Sequence, residues 1–97
     1  GALFFAATDR VFGELSLLCD SHQGIILYLD GVSILDSGGL SALNRFLDKC
    51  AMSNTRLYLT DIQYQPLKTL SKAGFNPDRK ICNVYTTLPD ALKSLPA

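Results

Sequence analysis

The chain has 97 residues, and its nine Lys and Arg match its nine Asp and Glu, so the formal net charge is zero. This length suits one domain with one modest core. The even charge argues against a nucleic-acid-binding surface and gives little support for binding acidic lipid by charge alone. No apolar run is long enough to span a membrane, and no secretory signal peptide is visible. The chain does not begin with Met, and we expect it to belong to a longer protein.

The residue types that usually carry catalysis are sparse. Cys19, Cys50 and Cys82 lie far apart in apolar stretches, which favours reduced core residues of a cytosolic domain. His22 is the only histidine and lies in a polar turn, so neither a His-based metal site nor a Cys–His nucleophile pair is expected. The chain also lacks the phosphate-binding loop, the nucleophile elbow and the dinucleotide fingerprint. The sequence therefore predicts no enzymatic activity.

Strand and helix patterns alternate along the chain. The apolar runs predict strands at residues 2–7, 25–29, 56–60 and 83–86. Helical spacing and capping residues predict helices at about residues 9–19, 37–51 and 65–73, and a last helix that Thr87 caps. Such alternation predicts an α/β domain with a largely parallel central sheet.

The helical periodicity also predicts which side chains face the core. In the helix from Ser37, the expected apolar stripe comprises Leu40, Leu43, Phe46, Leu47 and Cys50, and the expected polar face comprises Asn44, Arg45, Asp48 and Lys49. Ile34 and Leu35 are expected to return the preceding loop to the core. In the next helix Leu67 and Leu70 should face inward and Gly74 should provide the C-terminal cap. The expected inner face of the last helix is Ala91, Leu92 and Leu95.

The segment around residues 27–40 is the centre of the functional hypothesis. Asp30 and Gly31 end a buried strand, Asp36 or Ser37 caps the next helix, and Gly38 and Gly39 lie in its first turn. A helix start presents free backbone N–H groups and a partial positive charge, and glycines let a partner or an anion approach them closely. The simpler interpretation is a turn residue followed by a helix cap. No His or Lys lies nearby in sequence to make the two aspartates a catalytic set.

The run Asp36-Ser37-Gly38-Gly39-Leu40 resembles the loop of STAS domains, in which Asp-Ser-Ser-Gly-Leu or Asp-Ser-Thr-Gly-Leu opens a helix. Here Gly38 replaces the second hydroxyl residue. The resemblance extends over nearly all of residues 1–97 and implies a STAS-like α/β fold. It implies a mostly parallel sheet of about four strands, with the family's opening strand missing before residue 1. The family comprises cytoplasmic domains of SulP (sulfate permease type) anion transporters and bacterial anti-sigma factor antagonists.

The opening residues 1–8 resemble the Gly-Pro-Leu-Phe-Phe-Ala start that is common in the transporter branch. That resemblance implies a cytosolic regulatory domain at the cytoplasmic face of the inner membrane. Its expected partners are the transmembrane part of its own parent and a soluble cytosolic protein, without nucleic acid, without direct membrane insertion and with at most weak nucleotide binding. The expected partner, phosphorylation or nucleotide loop comprises Asp30, Asp36, Ser37, Gly38 and Gly39.

Two other interpretations remain at this point. In the first, the chain is a soluble anti-sigma factor antagonist in which a partner kinase phosphorylates Ser37, because this position matches the phosphorylated one in that branch. In the second, the chain is a small nucleotide hydrolase, which no motif supports.

Overall fold

The computed structural model describes the backbone of residues 2–6 and all of residues 23–95. The described strands are β1 (Ala2–Ala6), β2 (Gly24–Tyr28), β3 (Arg56–Thr60) and β4 (Cys82–Tyr85). The described helices are α1 (Ser37–Met52), α2 (Tyr64–Lys72) and α3 (Leu88–Ser94). These elements match the predicted ones to within one or two residues. The predicted helix at residues 9–19, together with Cys19 and His22, lies outside the described residues.

The described strands form one sheet in the order β1-β2-β3-β4, and each neighbouring pair is parallel. The predicted α/β fold with a parallel sheet of about four strands is confirmed. Parallel strands all end at the same edge of the sheet. The segments that follow β2, β3 and β4 therefore lie at one edge, the carboxyl edge, and the helices return the chain to the opposite, amino edge.

The main core lies between one face of the sheet and the helices α1 and α2. Side chains alternate between the two faces along a strand. One face contributes Ile25, Leu27, Leu57, Leu59 and Cys82, which cluster with Leu43, Phe46, Cys50 and Leu70 of the helices. The opposite face carries the buried Ile26 and Tyr58, and α3 packs against β3 and β4. Cys50 and Cys82 are buried and belong to no disulfide, as predicted for those two residues.

Three inward-facing predictions are wrong. The exposed fractions are 61% for Ile34, 48% for Leu67 and 49% for Leu92. In α2 the buried positions are Pro66 and Leu70, one turn apart, and Leu67 lies to the side of that line. The helix α3 has only seven residues and buries Ala91 alone among them. A short helix at the margin of a sheet buries only a narrow stripe of side chains. Apolar side chains beside that stripe therefore remain exposed to water.

The chain leaves α1 and α2 through left-handed residues, Asn54 with φ of 55° and Gly74 with φ of 70°. After α2, the N–H of Phe75 donates to the carbonyl of Leu70 at 3.0 Å, and the N–H of Gly74 donates to the carbonyl of Ser71 at 3.2 Å. This pair of bonds is the Schellman arrangement, which needs a positive φ at the position of Gly74. The predicted cap at Gly74 is confirmed.

Candidate functional site: the loop at the start of helix α1

The loop between β2 and α1 crosses the carboxyl edge and is fixed by three buried leucine and valine side chains. The N–H of Val32 donates to the carbonyl of Leu29 at 3.0 Å, which closes a turn with Asp30 and Gly31 at its centre, as predicted. Leu29, Val32 and Leu35 are buried, at spacings of three residues. The intervening positions, including Asp30, therefore face solvent.

Asp36 is the N-cap of α1. Its carboxylate accepts a hydrogen bond from the N–H of Gly39 at 2.7 Å, and its own backbone is extended. The sequence left the cap between Asp36 and Ser37, and the structure assigns it to Asp36. Ser37 is the first helical residue and is exposed. Because the capping bond belongs to Asp36, the Ser37 hydroxyl is available at the surface.

The two glycines after Ser37 differ in what surrounds them. A Cβ on Gly39 would lie 2.8 Å from the Cδ1 methyl of Leu35, which is buried. A Cβ on Gly38 would meet nothing closer than the Asp36 carboxylate at 3.5 Å. Close packing of the loop against the helix therefore explains glycine at position 39 only. The hydroxyl residue usual in the family would fit at position 38.

The side chain of Gln65, on α2, holds the residue that precedes the cap. The N–H of Leu35 donates to Gln65 Oε1 at 2.7 Å, and Gln65 Nε2 donates to the carbonyl of Leu35 at 3.3 Å. We call this pair of bonds the Gln65 bridge. The Thr69 hydroxyl donates to the same carbonyl at 3.1 Å and accepts from Gln65 Nε2 at 3.1 Å. The bridge fixes the backbone at Leu35, and with it the direction in which α1 begins.

A second glutamine of the same segment reaches the start of the loop. Gln63 Nε2 donates to the backbone carbonyl of Asp30. The segment between β3 and α2 thus holds the loop near both of its ends. Sequence reasoning missed Gln63, Gln65 and Thr69, because each contact joins residues at least 30 positions apart. The only local signal is a pair of amide side chains at the start of a helix, which is common in loops.

The described part of the carboxyl edge is negatively charged. Partial burial, followed by the negative charges of Asp30 and Asp61, raises the pKa of Tyr28 above its usual value. Asp61 follows β3 with φ of 56°, and one of its carboxylate oxygens is buried without a hydrogen-bond partner. With Asp36 beside Ser37, an anion at this loop meets attraction from the helix start and repulsion from nearby carboxylates.

The exposed groups of this loop can form hydrogen bonds with a partner. Within residues 23–95, no three His, Cys, Asp or Glu side chains are grouped so that they could hold a metal ion. Burial raises the pKa of the Cys82 thiol to about 12, so that thiol stays protonated. A cleft of about 220 Å³ lies between α1 and residues 73–77, and its lining does not include the loop. The loop itself presents a hydroxyl and backbone N–H groups at an open surface.

A parallel α/β domain with a helix start exposed at the carboxyl edge is the architecture that the sequence resemblance implies. The family model of the STAS domain matches residues 1–91. The chain belongs to the STAS domain family. Comparison with curated proteins gives no match.

The family match confirms the resemblance drawn from the loop and the strand–helix order. STAS domains occur both in SulP transporters and in anti-sigma factor antagonists, and the match is compatible with either branch. Among the described residues, each helix is too short or too polar to cross a membrane.

Proposed function

We propose that this STAS domain is the cytosolic regulatory and protein-interaction domain of a SulP-type anion transporter of the sulfate-permease kind. The observation that carries the proposal is the sequence of β1, Ala2-Leu3-Phe4-Phe5-Ala6, which resembles the opening strand of the transporter branch. Anti-sigma factor antagonists usually have Gly-Glu followed by Leu or Ile and then Asp at the equivalent place. The domain would act at the cytoplasmic face of the inner membrane, in contact with the transmembrane part of its parent.

The surroundings of Gly38 support the same branch. Phosphorylation-switch members of the family carry a second hydroxyl residue directly after the phosphorylated serine. The space at Gly38 would accommodate that residue, since its Cβ would meet only the Asp36 carboxylate at 3.5 Å. Packing does not impose the glycine, so its presence agrees with a loop that is used for contact.

In this proposal the start of α1 is the contact surface. The first helical bond runs from the N–H of Leu40 to the carbonyl of Asp36, and the N–H of Gly39 is taken by the Asp36 side chain. The backbone N–H groups of Ser37 and Gly38 therefore point out of the helix. A carbonyl or carboxylate oxygen of a partner protein can accept from them, and Gly38 adds no side chain in its way. A nucleotide phosphate would use the same groups and bind weakly, because Asp36 repels it.

The experiment measures uptake of sulfate, bicarbonate and a dicarboxylate by the complete parent protein. Ser37→Glu should change uptake severalfold, while Ser37→Ala changes it less. The matched control is Ser41→Glu, since Ser41 is an exposed serine one turn later on α1. Uptake unchanged by every Ser37 variant would contradict a regulatory role for the loop. If the complete parent protein is short and has no membrane-spanning segments, the transporter proposal is wrong.

The second candidate is a soluble anti-sigma factor antagonist, and the exposed Ser37 favours it. A phosphoserine at the first helical position carries a charge of about −1.5 to −2, which the helix dipole favours. Asp36 beside it opposes the same charge. Mass spectrometry of the protein isolated from its cell distinguishes the two: a stoichiometric phosphate on Ser37 that responds to growth conditions supports the switch.

A further inference from the structure

Within residues 23–95, positive and negative charges are separated along the strand direction. Helices in this fold run back from the carboxyl edge, so helix ends and strand starts share the amino edge. The cations at the amino edge are Lys49, Arg56, Lys72, Arg79, Lys80 and Lys93. The acids at the carboxyl edge are Asp30, Asp36, Asp61 and Asp90.

The separation is nearly complete within residues 23–95. Six of the eight Lys and Arg in that range belong to the amino edge, and only Asp48 and Asp78 lie near them, which leaves a surplus of four positive charges. Four of the six acidic residues in the same range belong to the carboxyl edge, and the cation closest to them in sequence is Lys93, three residues after Asp90 in the short helix α3. Residues 23–95 carry a net charge of +2, and within them the two edges carry opposite charge.

The helix dipole explains only part of this pattern. Lysines in a last turn complement the negative end of a helix, which accounts for Lys49, Lys72 and Lys93. It does not account for three cations outside the helices: Arg56 opens β3, and Arg79 and Lys80 precede β4.

Those three cations are neighbours across the sheet. Leu57 pairs with Cys82, so the start of β3 lies beside the residues that lead into β4. Arg56, Arg79 and Lys80 are all exposed. The nearby Asp78 accepts a hydrogen bond from the backbone N–H of Lys80 at 2.9 Å. Asp78 offsets one of these three positive charges, and the remaining excess would suit an anionic partner.

An exposed apolar side chain accompanies the cluster. Met52 is the last residue of α1, four positions before Arg56, and the residue is 90% exposed. A flexible apolar side chain among Lys and Arg is typical of surfaces that rest on a lipid headgroup layer. The cations are spread over the ends of three helices and the starts of two strands. This spread matches a flat array of headgroups better than one acidic peptide.

We propose that the amino edge docks on an anionic phospholipid surface. The docking surface comprises Lys49, Met52, Arg56, Lys72, Arg79, Lys80 and Lys93, and we call it the basic edge. Docking in this orientation turns the Ser37 loop, at the opposite edge, toward the cytosol and its partners. The inference uses the proposed function only to place the domain beside a membrane, and it requires none of the described helices α1–α3 to enter the bilayer.

The test is co-sedimentation of the chain with vesicles at low ionic strength. Vesicles of phosphatidylcholine containing about 30% phosphatidylserine should bind the chain, while phosphatidylcholine alone should not. Raising the salt to about 0.5 M should abolish binding, because screening then acts within a few ångströms. Each Lys or Arg near an anionic leaflet strengthens binding about fivefold, so the double variant Arg79→Gln/Lys80→Gln should bind about 25-fold more weakly.

The matched control is Tyr64→Glu/Thr86→Glu, which changes the net charge equally but at exposed positions of the carboxyl edge. This control should bind the anionic vesicles as the unmodified chain does. Equal loss in both double variants would show an effect of total charge and overturn the proposal. Binding to soluble polyglutamate without binding to vesicles would also overturn it, since the basic edge would then recognise an acidic protein. Neither result depends on anion uptake, so the transporter proposal is tested separately.

Discussion

The Gln65 bridge gives the sharpest prediction about how α2 controls the Ser37 loop. Replacing Gln65 with Ala removes the acceptor at 2.7 Å from the N–H of Leu35 and one donor at 3.3 Å to its carbonyl. The carbonyl keeps the Thr69 hydroxyl at 3.1 Å. The N–H of Leu35, in a residue that is only 4% exposed, loses its partner. A buried unpaired donor costs about 1–3 kcal/mol, and because this bond is only partly buried the expected loss in the free energy of unfolding is about 1 kcal/mol.

Gln63 provides the control. It is the same residue type two positions earlier, and its amide donates to the carbonyl of Asp30, an exposed residue. Water can replace that bond, so Gln63→Ala should change stability by about 0.5 kcal/mol or less. Urea denaturation compares the two variants, and hydrogen exchange reports the Leu35 amide directly. Equal stability losses, or undiminished protection of the Leu35 amide in Gln65→Ala, would refute the bridge.

Gln65→Glu tests the same contact through pH. The carboxylate still accepts from the N–H of Leu35 but has no proton to donate to the carbonyl. Only the protonated form restores both bonds, so the pKa of this Glu should lie above its ordinary value of about 4.3. The folded state then binds more protons than the unfolded state, and stability falls as pH rises through that pKa. A stability difference from the unmodified chain that is constant from acid to neutral pH would contradict this reasoning.

Three further predictions concern α1 and its start. Gly38→Ala should stabilise the domain by about 0.5–1 kcal/mol. Gly39→Ala should destabilise it, because its Cβ would lie 2.8 Å from a buried leucine methyl. Thermal unfolding of the two variants beside the unmodified chain tests both predictions. Leu43 is 1% exposed, so Leu43→Ala should lower the free energy of unfolding by about 2–5 kcal/mol. Asn44→Ala, at an exposed position, should lower it by about 0.5 kcal/mol or less. Equal shifts in melting temperature would contradict the assignment of Leu43 to the buried face of α1 and Asn44 to the exposed face. The chain should not hydrolyse ATP or GTP, and calorimetry should detect weak binding at most; phosphate release that disappears in Asp36→Ala would contradict the prediction.

The parts of the fold that were predicted correctly depend on residues close in sequence. The run at residues 25–29 predicts β2 because a buried parallel strand needs continuous apolar side chains. Thr87 is the cap of α3, since its hydroxyl accepts from the N–H of Asp90 at 3.4 Å, three residues later. Gly74 ends α2 because its φ of 70° favours glycine. In each case the physical cause lies within one helical turn or one strand.

The incorrect predictions depend on docking between distant segments. Leu67 belongs to the apolar spacing of α2, but only Pro66 and Leu70 of that helix are buried. The Gln65 bridge joins residues 30 positions apart through a side chain that carries no charge and is common in loops. A periodic pattern shows that a helix has an apolar side and leaves open how much of that side a neighbour covers. A single glutamine likewise shows that two hydrogen bonds are possible, without showing where they go.

The sequence contains information about the distribution of charge that its composition alone does not show. Once the order of parallel strands and returning helices is predicted, each residue's place relative to a strand assigns it to an edge. Asp30 and Asp61 follow strands and so belong to the carboxyl edge, while Arg56 and Lys80 precede or open strands and belong to the amino edge. An anionic surface responds to the charge within about one Debye length, roughly 10 Å, and not to the total. The balance of nine against nine therefore excludes a uniformly basic protein but not a domain with one basic edge.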